Sequence, residues 1–489
     1  MENRAAGDGI VDPIVEDRSL ELPGPELRAL IAAATERIVA HLASLPDQPS
    51  ADVAGGAALA RSLVEPMPET GTNAEALLDL LFERVIPKSF NTAGPGYLAY
   101  IPGGGLPQSA VADLVSDATN RYVGVFAAAP AVAQLEANVC RWFCDLAGLP
   151  PDSRGILTSG GSLATFSAVV AARRDRLPEN FLTGRIYTSD QAHHAVQKAA
   201  MLAGFPESAV REIESDATFR VQVDELERAI AKDRAAGLAP FLVVANAGTT
   251  NTGAVDDLPA LADLAARERL WLHVDAAYGG FFLLTAEGAR RLAGIERADS
   301  IVLDPHKGLF LPYGTGALLV RDGEALRRAH ALSGDYMPAM QEDPDFSDFN
   351  LLSPELSRGF RGLRVWLPVK MHGIAPFRRN LEEKLALARW ACERLREIPG
   401  VEIVAEPQLS IVAFRLTAPG ASSEEADRMS RELMERVNAR RRVYLTGTLL
   451  HGRFAVRICV LSFRTHRERM EMALEDIRSA AAGLGKFRA

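Results

Sequence analysis

The run Leu303-Asp-Pro-His-Lys-Gly308 puts a lysine directly after a histidine at the end of a short apolar stretch. Open α/β sheets hold their ligands at the carboxyl ends of strands, so Lys307 stands where an amine can meet a carbonyl cofactor and form an imine. A loop lysine is ordinarily a solvated charge, and the stronger reading needs companions. Asp275 is the first, in Trp271-Leu-His-Val-Asp-Ala-Ala-Tyr278. It ends a strongly apolar strand, where an ionised carboxylate is costly unless it meets a cation or several donors. A protonated pyridine nitrogen is such a cation; a cap on the next helix is the plainer alternative.

Two further segments extend the set. Leu157-Thr-Ser-Gly-Gly-Ser-Leu-Ala-Thr165 opens a helical pattern with small residues. Free N–H groups and the positive end of the helix dipole suit a phosphate there. The ending of a Walker loop is absent. Tyr187-Thr-Ser-Asp-Gln-Ala-His-His194 precedes another helix, and the His193 imidazole can stack on a planar ring or move a proton.

These residues need a scaffold that gathers strand ends. Short apolar runs alternate with helical stretches through the middle of the chain: Gly184–Ser189 before Ala192–Ala203, Phe241–Ala247 before Leu258–Arg267, then Leu270–Ala276 and Ser300–Asp304. That alternation predicts β-α-β crossovers and a mainly parallel sheet with helices on both faces. Gly316–Arg321 follows Lys307 too soon for a crossover helix and is expected to be antiparallel. Helical spacing also covers Glu26–Leu42 and Glu75–Val85, whereas Ala93–Gly105 is a Gly/Pro-rich loop of the kind that builds sites. After Pro376 the pattern becomes a small α+β unit. It has a long helix (Phe377–Ile398), strands at Val401–Val404, Ser410–Leu416, Val443–Thr446 and Phe454–Leu461, a helix at Ser422–Val437 and a closing helix.

Composition narrows the class. The chain has 489 residues, 48% of them hydrophobic and 24% charged, with a formal net charge of −9. That supports large folded cores and argues against nucleic acid, since no basic face stands out. Cys140, Cys144, Cys392 and Cys459 form no C-x-x-C pair, and buried reduced thiols are expected. No metal-ligand cluster is read. With no apolar leader-like stretch and no long apolar run, the expectation is a cytoplasmic protein without a membrane span.

Cradle, histidine, aspartate and lysine in this order resemble the fold-type I pyridoxal-phosphate enzymes. More closely, the chain resembles the group II decarboxylases, and within them the aromatic-L-amino-acid decarboxylases. The resemblance runs from about residue 75 onward through Ala93–Pro102, S-D-Q-A-H, H-V-D-A-A-Y, P-H-K and Gly359-Phe-Arg-Gly-Leu-Arg-Val-Trp366. It implies pyridoxal 5'-phosphate as cofactor and α-decarboxylation of an L-amino acid, with an aromatic one expected. Lys307 becomes the imine lysine, Asp275 the partner of the pyridine nitrogen and His193 the stacking imidazole. Ala277 packs on the other ring face, Thr249 contacts the cofactor, and His306 assists Gly161 and Ser162 at the phosphate. Tyr336, in Ser333-Gly-Asp-Tyr-Met337, matches a mobile-loop tyrosine that helps protonate the substrate carbon, within an unpatterned lid-like stretch at 334–349.

The resemblance also implies a homodimer with shared active sites, in which Tyr100, Ile101, Pro102 and Phe126 contribute to the substrate pocket. Three parts are expected: an N-terminal helical dimer-embracing segment (1–90), a cofactor-binding α/β domain (91–375) and a small α+β domain (376–489). Departures from the family pattern fall at Gly308, Gly103–Gly105 and Ile101 and bear on substrate choice. The competing readings are a decarboxylase of a non-aromatic (glutamate-like or diamino) acid and an oxygen-using aromatic aldehyde synthase. The presence of Tyr336 and His193 favours simple decarboxylation over the latter.

Overall fold

The computed structural model describes residues 18–332, 343 and 346–484, which fall into two compact units. The first comprises the chain up to Asp47 together with Val53–Ser89. Its helices are α1 (Gly24–Ser44), α2 (Gly56–Ser62) and α3 (Ala74–Asp79), the last capped by the Asn73 side chain. Arg37 of α1 pairs with Asp79 at 2.6 Å. The helical stretch expected to reach Val85 does so with a change of winding: Leu80–Val85 forms a π turn, with Ile86 N–H donating to Leu81 O.

The second unit holds the remaining described residues. Helices α4 (Pro107–Thr119) and α5 (Pro130–Leu146) lead into its sheet. The strands are β1 (Arg154–Thr158), β2 (Gly184–Ser189), β3 (Val210–Ile213), β4 (Ala239–Asn246), β5 (Trp271–Asp275), β6 (Ser300–Leu303) and β7 (Gly316–Val320). Between them run α6 (Gly161–Arg176), α7 (Ala195–Leu202), α8 (Val223–Ala235) and α9 (Leu258–Glu268). The spatial order is β1-β7-β6-β5-β4-β2-β3. Strands β3, β2, β4, β5 and β6 are mutually parallel, and β7 is antiparallel to both β6 and β1. The expected parallel sheet with an antiparallel strand after the lysine is therefore present.

Burial explains the composition of these elements. Strands covered on both faces need apolar side chains throughout, and β7 is buried at every position. Helix α6 turns Ala164, Ala168, Ala171 and Ala172 inward, small side chains that let it lie close to the sheet. Gly316 makes another close approach possible, because a Cβ there would stand 2.5 Å from the Gly160 carbonyl carbon.

A second sheet, of order β10-β11-β9-β8, is wholly antiparallel: β8 (Val401–Ala405), β9 (Ile411–Leu416), β10 (Thr446–Leu450) and β11 (Arg453–Cys459). Helices Ala375–Arg396, Ser423–Ala439 and Arg467–Gly483 share its apolar core, which includes Leu387, Leu395, Phe414, Leu433 and Ile477. Ser422 and Glu425 form a reciprocal capping box on the second of these helices. The strand expected at Val443–Thr446 is displaced to Thr446–Leu450. Val443 and Leu445 are buried apolar residues, as a strand requires, but Tyr444 pairs instead with the segment after Gly96, through Tyr444 N–H to Gly96 O and Leu98 N–H to Tyr444 O.

Candidate active site

Strand register gathers the site. Asn246 lies opposite Asp275 across β4 and β5, and Asp275 opposite Val302 across β5 and β6, so three neighbouring strands end at one level. Just beyond β6 the short helix Pro305–Gly308 lifts Lys307 to that edge. A cavity of about 270 Å³ opens there. It is lined by Gly161 and Ser162 from the start of α6, by His193 before α7 and by Thr249 after β4. Asp275 and Ala277 from the end of β5, with His306 and Lys307, complete it. Eight residues singled out from the sequence thus share one cavity.

Electrostatics give each group a state. Lys307 Nζ lies 2.8 Å from Asp304 Oδ2. Burial works against the lysine's charge, but Asp304 and then Asp275 outweigh it and hold Lys307 above its ordinary range. His193 Nδ1 accepts the Ala195 N–H at 3.1 Å, and burial lowers its pKa, so the neutral ring carries its proton on Nε2. His306 donates from Nδ1 to the Thr315 carbonyl at 2.6 Å, and burial lowers it too. Asp275 Oδ1 accepts the Ala277 N–H at 3.1 Å. Thr249 is buried, its hydroxyl within 2.9 Å of that of Thr252. Cys459, within electrostatic reach of Lys307, is pushed up to about 12, chiefly by burial, and stays a thiol. All four cysteines are free and buried.

The Gly359–Trp366 motif braces this edge from outside. Arg361 Nη1 donates to Leu157 O at the end of β1 and pairs with Glu355 at 2.7 Å. Arg364 pairs with Asp113 of α4 at 2.7 Å and donates to Thr315 Oγ1 at 3.0 Å, which fixes the loop that receives His306. Preceding the motif, Arg358 and Glu136 form an ion pair with no exposed side-chain surface.

Four expected substrate residues stand apart from the cavity lining. Tyr100 is 57% exposed and adopts a positive φ of 48°. Ile101 and Pro102 are buried in the loop after it. That loop presses on the lysine helix, since a Cβ on Gly103 would stand 2.0 Å from His306 O. Phe126 is half-buried, its ring stacked 4.0 Å from that of Phe346. Tyr336 lies outside the described residues. Sequence reasoning missed Asp304, which lines the cavity with Asn246, Thr250 and Tyr278. Its signal was present, an acidic residue ending an apolar strand three positions before the lysine, but an Asp before Pro reads first as a helix cap.

The donor set fits pyridoxal phosphate: a primary amine, a strand-end carboxylate, a helix N-terminus of small residues and a neutral imidazole converge on one cavity. The fold and site therefore define an α/β enzyme of the pyridoxal-phosphate class. Residues 60–417 match the family described as the pyridoxal-dependent decarboxylase conserved domain, and the chain belongs to that family. It is a pyridoxal-phosphate-dependent carboxy-lyase. An aromatic-L-amino-acid decarboxylase of Bacillus atrophaeus is 33% identical over 465 residues, which cover 95% of this chain and 97% of that one. Oryza sativa TDC, solved with PLP and tryptamine, superposes with a TM-score of 0.90 at 28% identity, covering 95% of this chain and 99% of the other. A Rhodiola rosea 4-hydroxyphenylacetaldehyde synthase gives a TM-score of 0.88 at 25% identity, with the same two coverages.

Proposed function

We propose that this enzyme decarboxylates an aromatic L-amino acid to its amine. The observation that carries the reading is that Lys307, Asp275 and the α6 N-terminus line one cavity at the carboxyl edge of the sheet. The aromatic substrate rests on the similarity to the Bacillus decarboxylase. When bound, pyridoxal phosphate supplies a protonated ring that accepts the electron pair of the breaking Cα–carboxylate bond.

The chain's own groups divide the remaining work. Lys307 would hold the cofactor through its amine. Asp275 keeps the proton on the ring nitrogen. Gly161 and Ser162 bind the phosphate through helix N–H groups, with His306 beside them. His193 and Ala277 would pack against the cofactor ring, and Thr249 would contact the cofactor. Tyr336 or His193 returns a proton to the substrate carbon. Tyr100, Ile101, Pro102 and Phe126 serve the substrate pocket in a cytoplasmic homodimer with shared sites, built from the three parts 1–90, 91–375 and 376–489.

A second reading, aldehyde formation, is favoured by one observation, the likeness to the Rhodiola synthase. Incubating the enzyme with each common amino acid, and assaying carbon dioxide, amine, aldehyde and peroxide together, separates the possibilities. Amine and carbon dioxide in equal amounts from an aromatic substrate is the expected result. Aldehyde with peroxide selects the second reading, and release from acidic or diamino substrates alone rejects the aromatic one.

A further inference from the structure

The cradle at the start of α6 already faces a negative charge. Asp304 follows β6 with a side chain only 3% exposed; its Oδ2 lies 2.8 Å from Lys307 Nζ and 3.7 Å from His306 Nε2. Its Oδ1 is buried and has no hydrogen-bond partner among the described residues. A methyl group on Gly161 would stand 3.0 Å from Oδ2 and 3.3 Å from Oδ1. The carboxylate therefore abuts the first residue of the helix whose N–H groups face the cradle.

Among the described residues, Arg364 acts on the neighbouring His306 but is itself paired with Asp113. His306 and Lys307 share the turn of Asp304, Asp275 comes from the end of β5, and His193 comes from the segment before α7. Both histidines are held toward neutrality, first by burial. Lys307 is therefore the compensating cation, and it is already committed to Asp304 at 2.8 Å. A phosphate entering this cradle meets a second anion in a poorly solvated place, where like charges a few ångströms apart repel far more than in water.

We propose that Asp304 is a cofactor-affinity residue: its carboxylate opposes the phosphate arm, and its ion pair with Lys307 competes with cofactor binding. This rests on the assignment of Gly161 and Ser162 as the phosphate cradle. Asp304 then sets how readily the protein exchanges between cofactor-free and loaded forms, a role distinct from anchoring the cofactor.

The test uses the full chain freed of cofactor and two probes that lack the aldehyde, 4-deoxypyridoxine 5'-phosphate and 4-deoxypyridoxine, so that no bond to Lys307 intervenes. Calorimetry compares the wild type with Asp304→Asn, which keeps the shape and removes the charge. The expected result is about tenfold tighter binding of the phosphorylated probe by the variant, with the unphosphorylated probe changed by less than about twofold. Equal or weaker binding of the phosphorylated probe by the variant, with the phosphate preference itself intact, overturns the role of Asp304 alone. If neither protein prefers the phosphorylated probe, the cradle assignment fails and takes the inference with it. Asp304→Ser repeats the charge removal should the asparagine variant not fold.

Discussion

Two lysines of the same compact unit are enclosed by protein, and their surroundings give them opposite characters. Lys307 is 21% exposed, lines the cavity, and pairs with Asp304, whose side chain is 3% exposed. Lys384, on the helix Ala375–Arg396, has no exposed side-chain surface and donates to Thr465 O at 2.6 Å and Glu383 Oε2 at 2.7 Å. Glu383 is itself 35% exposed and shared with His466. Burial therefore prevails at Lys384 and lowers its pKa against the pull of Glu383, whereas at Lys307 the carboxylates of Asp304 and Asp275 prevail over burial. Enclosure does not mark a reactive lysine. What separates them is a cavity on one side and the anions around it.

Lys384 acts as a strut. The Thr465 carbonyl it holds belongs to a residue whose hydroxyl donates to Pro95 O at 2.8 Å, and neighbouring Arg464 donates to Ala93 O at 3.0 Å and to Gly104 O. The chain of contacts ends in the loop that presses on His306. Charge and hydrogen bonding at Lys384 thus hold a backbone segment in place, while at Lys307 they lie at the cavity wall.

The largest expected effect separates the two outright. Lys307→Ala is expected to abolish turnover and the visible absorption of bound cofactor, because the amine proposed to bond to it is gone. Sustained multiple turnover by this variant would remove Lys307 from its role and dissolve the contrast. Lys384→Met, similar in length, keeps cofactor absorption and most of the turnover.

The next effect is on stability. Lys384→Met strips the buried Thr465 carbonyl of its donor, a loss of about 1–3 kcal/mol. It appears as a lower urea midpoint in the full chain. Lys307→Met in the cofactor-free protein leaves Asp304 without its cation. A Lys384→Met midpoint equal to that of the wild type would show that the strut carries no load.

The sequence made the site more legible than its supports. Asp275 and Lys307 were readable because each interrupts an apolar strand end, where a charge needs a reason. The parallel strands were readable from their continuous apolar runs. The order of strands was not: the cradle follows β1 and the lysine follows β6, and they meet only because antiparallel β7 is inserted between those two strands. The closeness of Asp304 to Gly161 depends on the same insertion. Lys384, within Leu381-Glu-Glu-Lys-Leu385, reads as one more charge on a solvated helix face, and only the packed loop after Leu461 turns it inward. Tyr444 followed a strand-like pattern whose partner lay far away in the chain.

The smallest effect is the sharpest test of the contrast, because it depends on sign alone. The ordinary lysine value is 10.5. Lys384 is lowered in the folded protein by burial, so in the interval just below 10.5 the unfolded chain holds a proton that the folded one has released. Folding is then favoured by rising pH across that interval. For Lys307, burial is outweighed by Asp304 and the folded value lies above 10.5, so its stabilisation is complete below 10.5 and is lost as pH climbs through the raised value. Urea midpoints of cofactor-free wild type, measured against Lys384→Met below 10.5 and against Lys307→Met above it, isolate the two groups from the other titrating side chains. Relative to Lys384→Met the wild type gains with pH; relative to Lys307→Met it loses. Slopes of the same sign would mean that the two lysines share one electrostatic environment, and Lys307 would no longer be set apart by the carboxylates beside it.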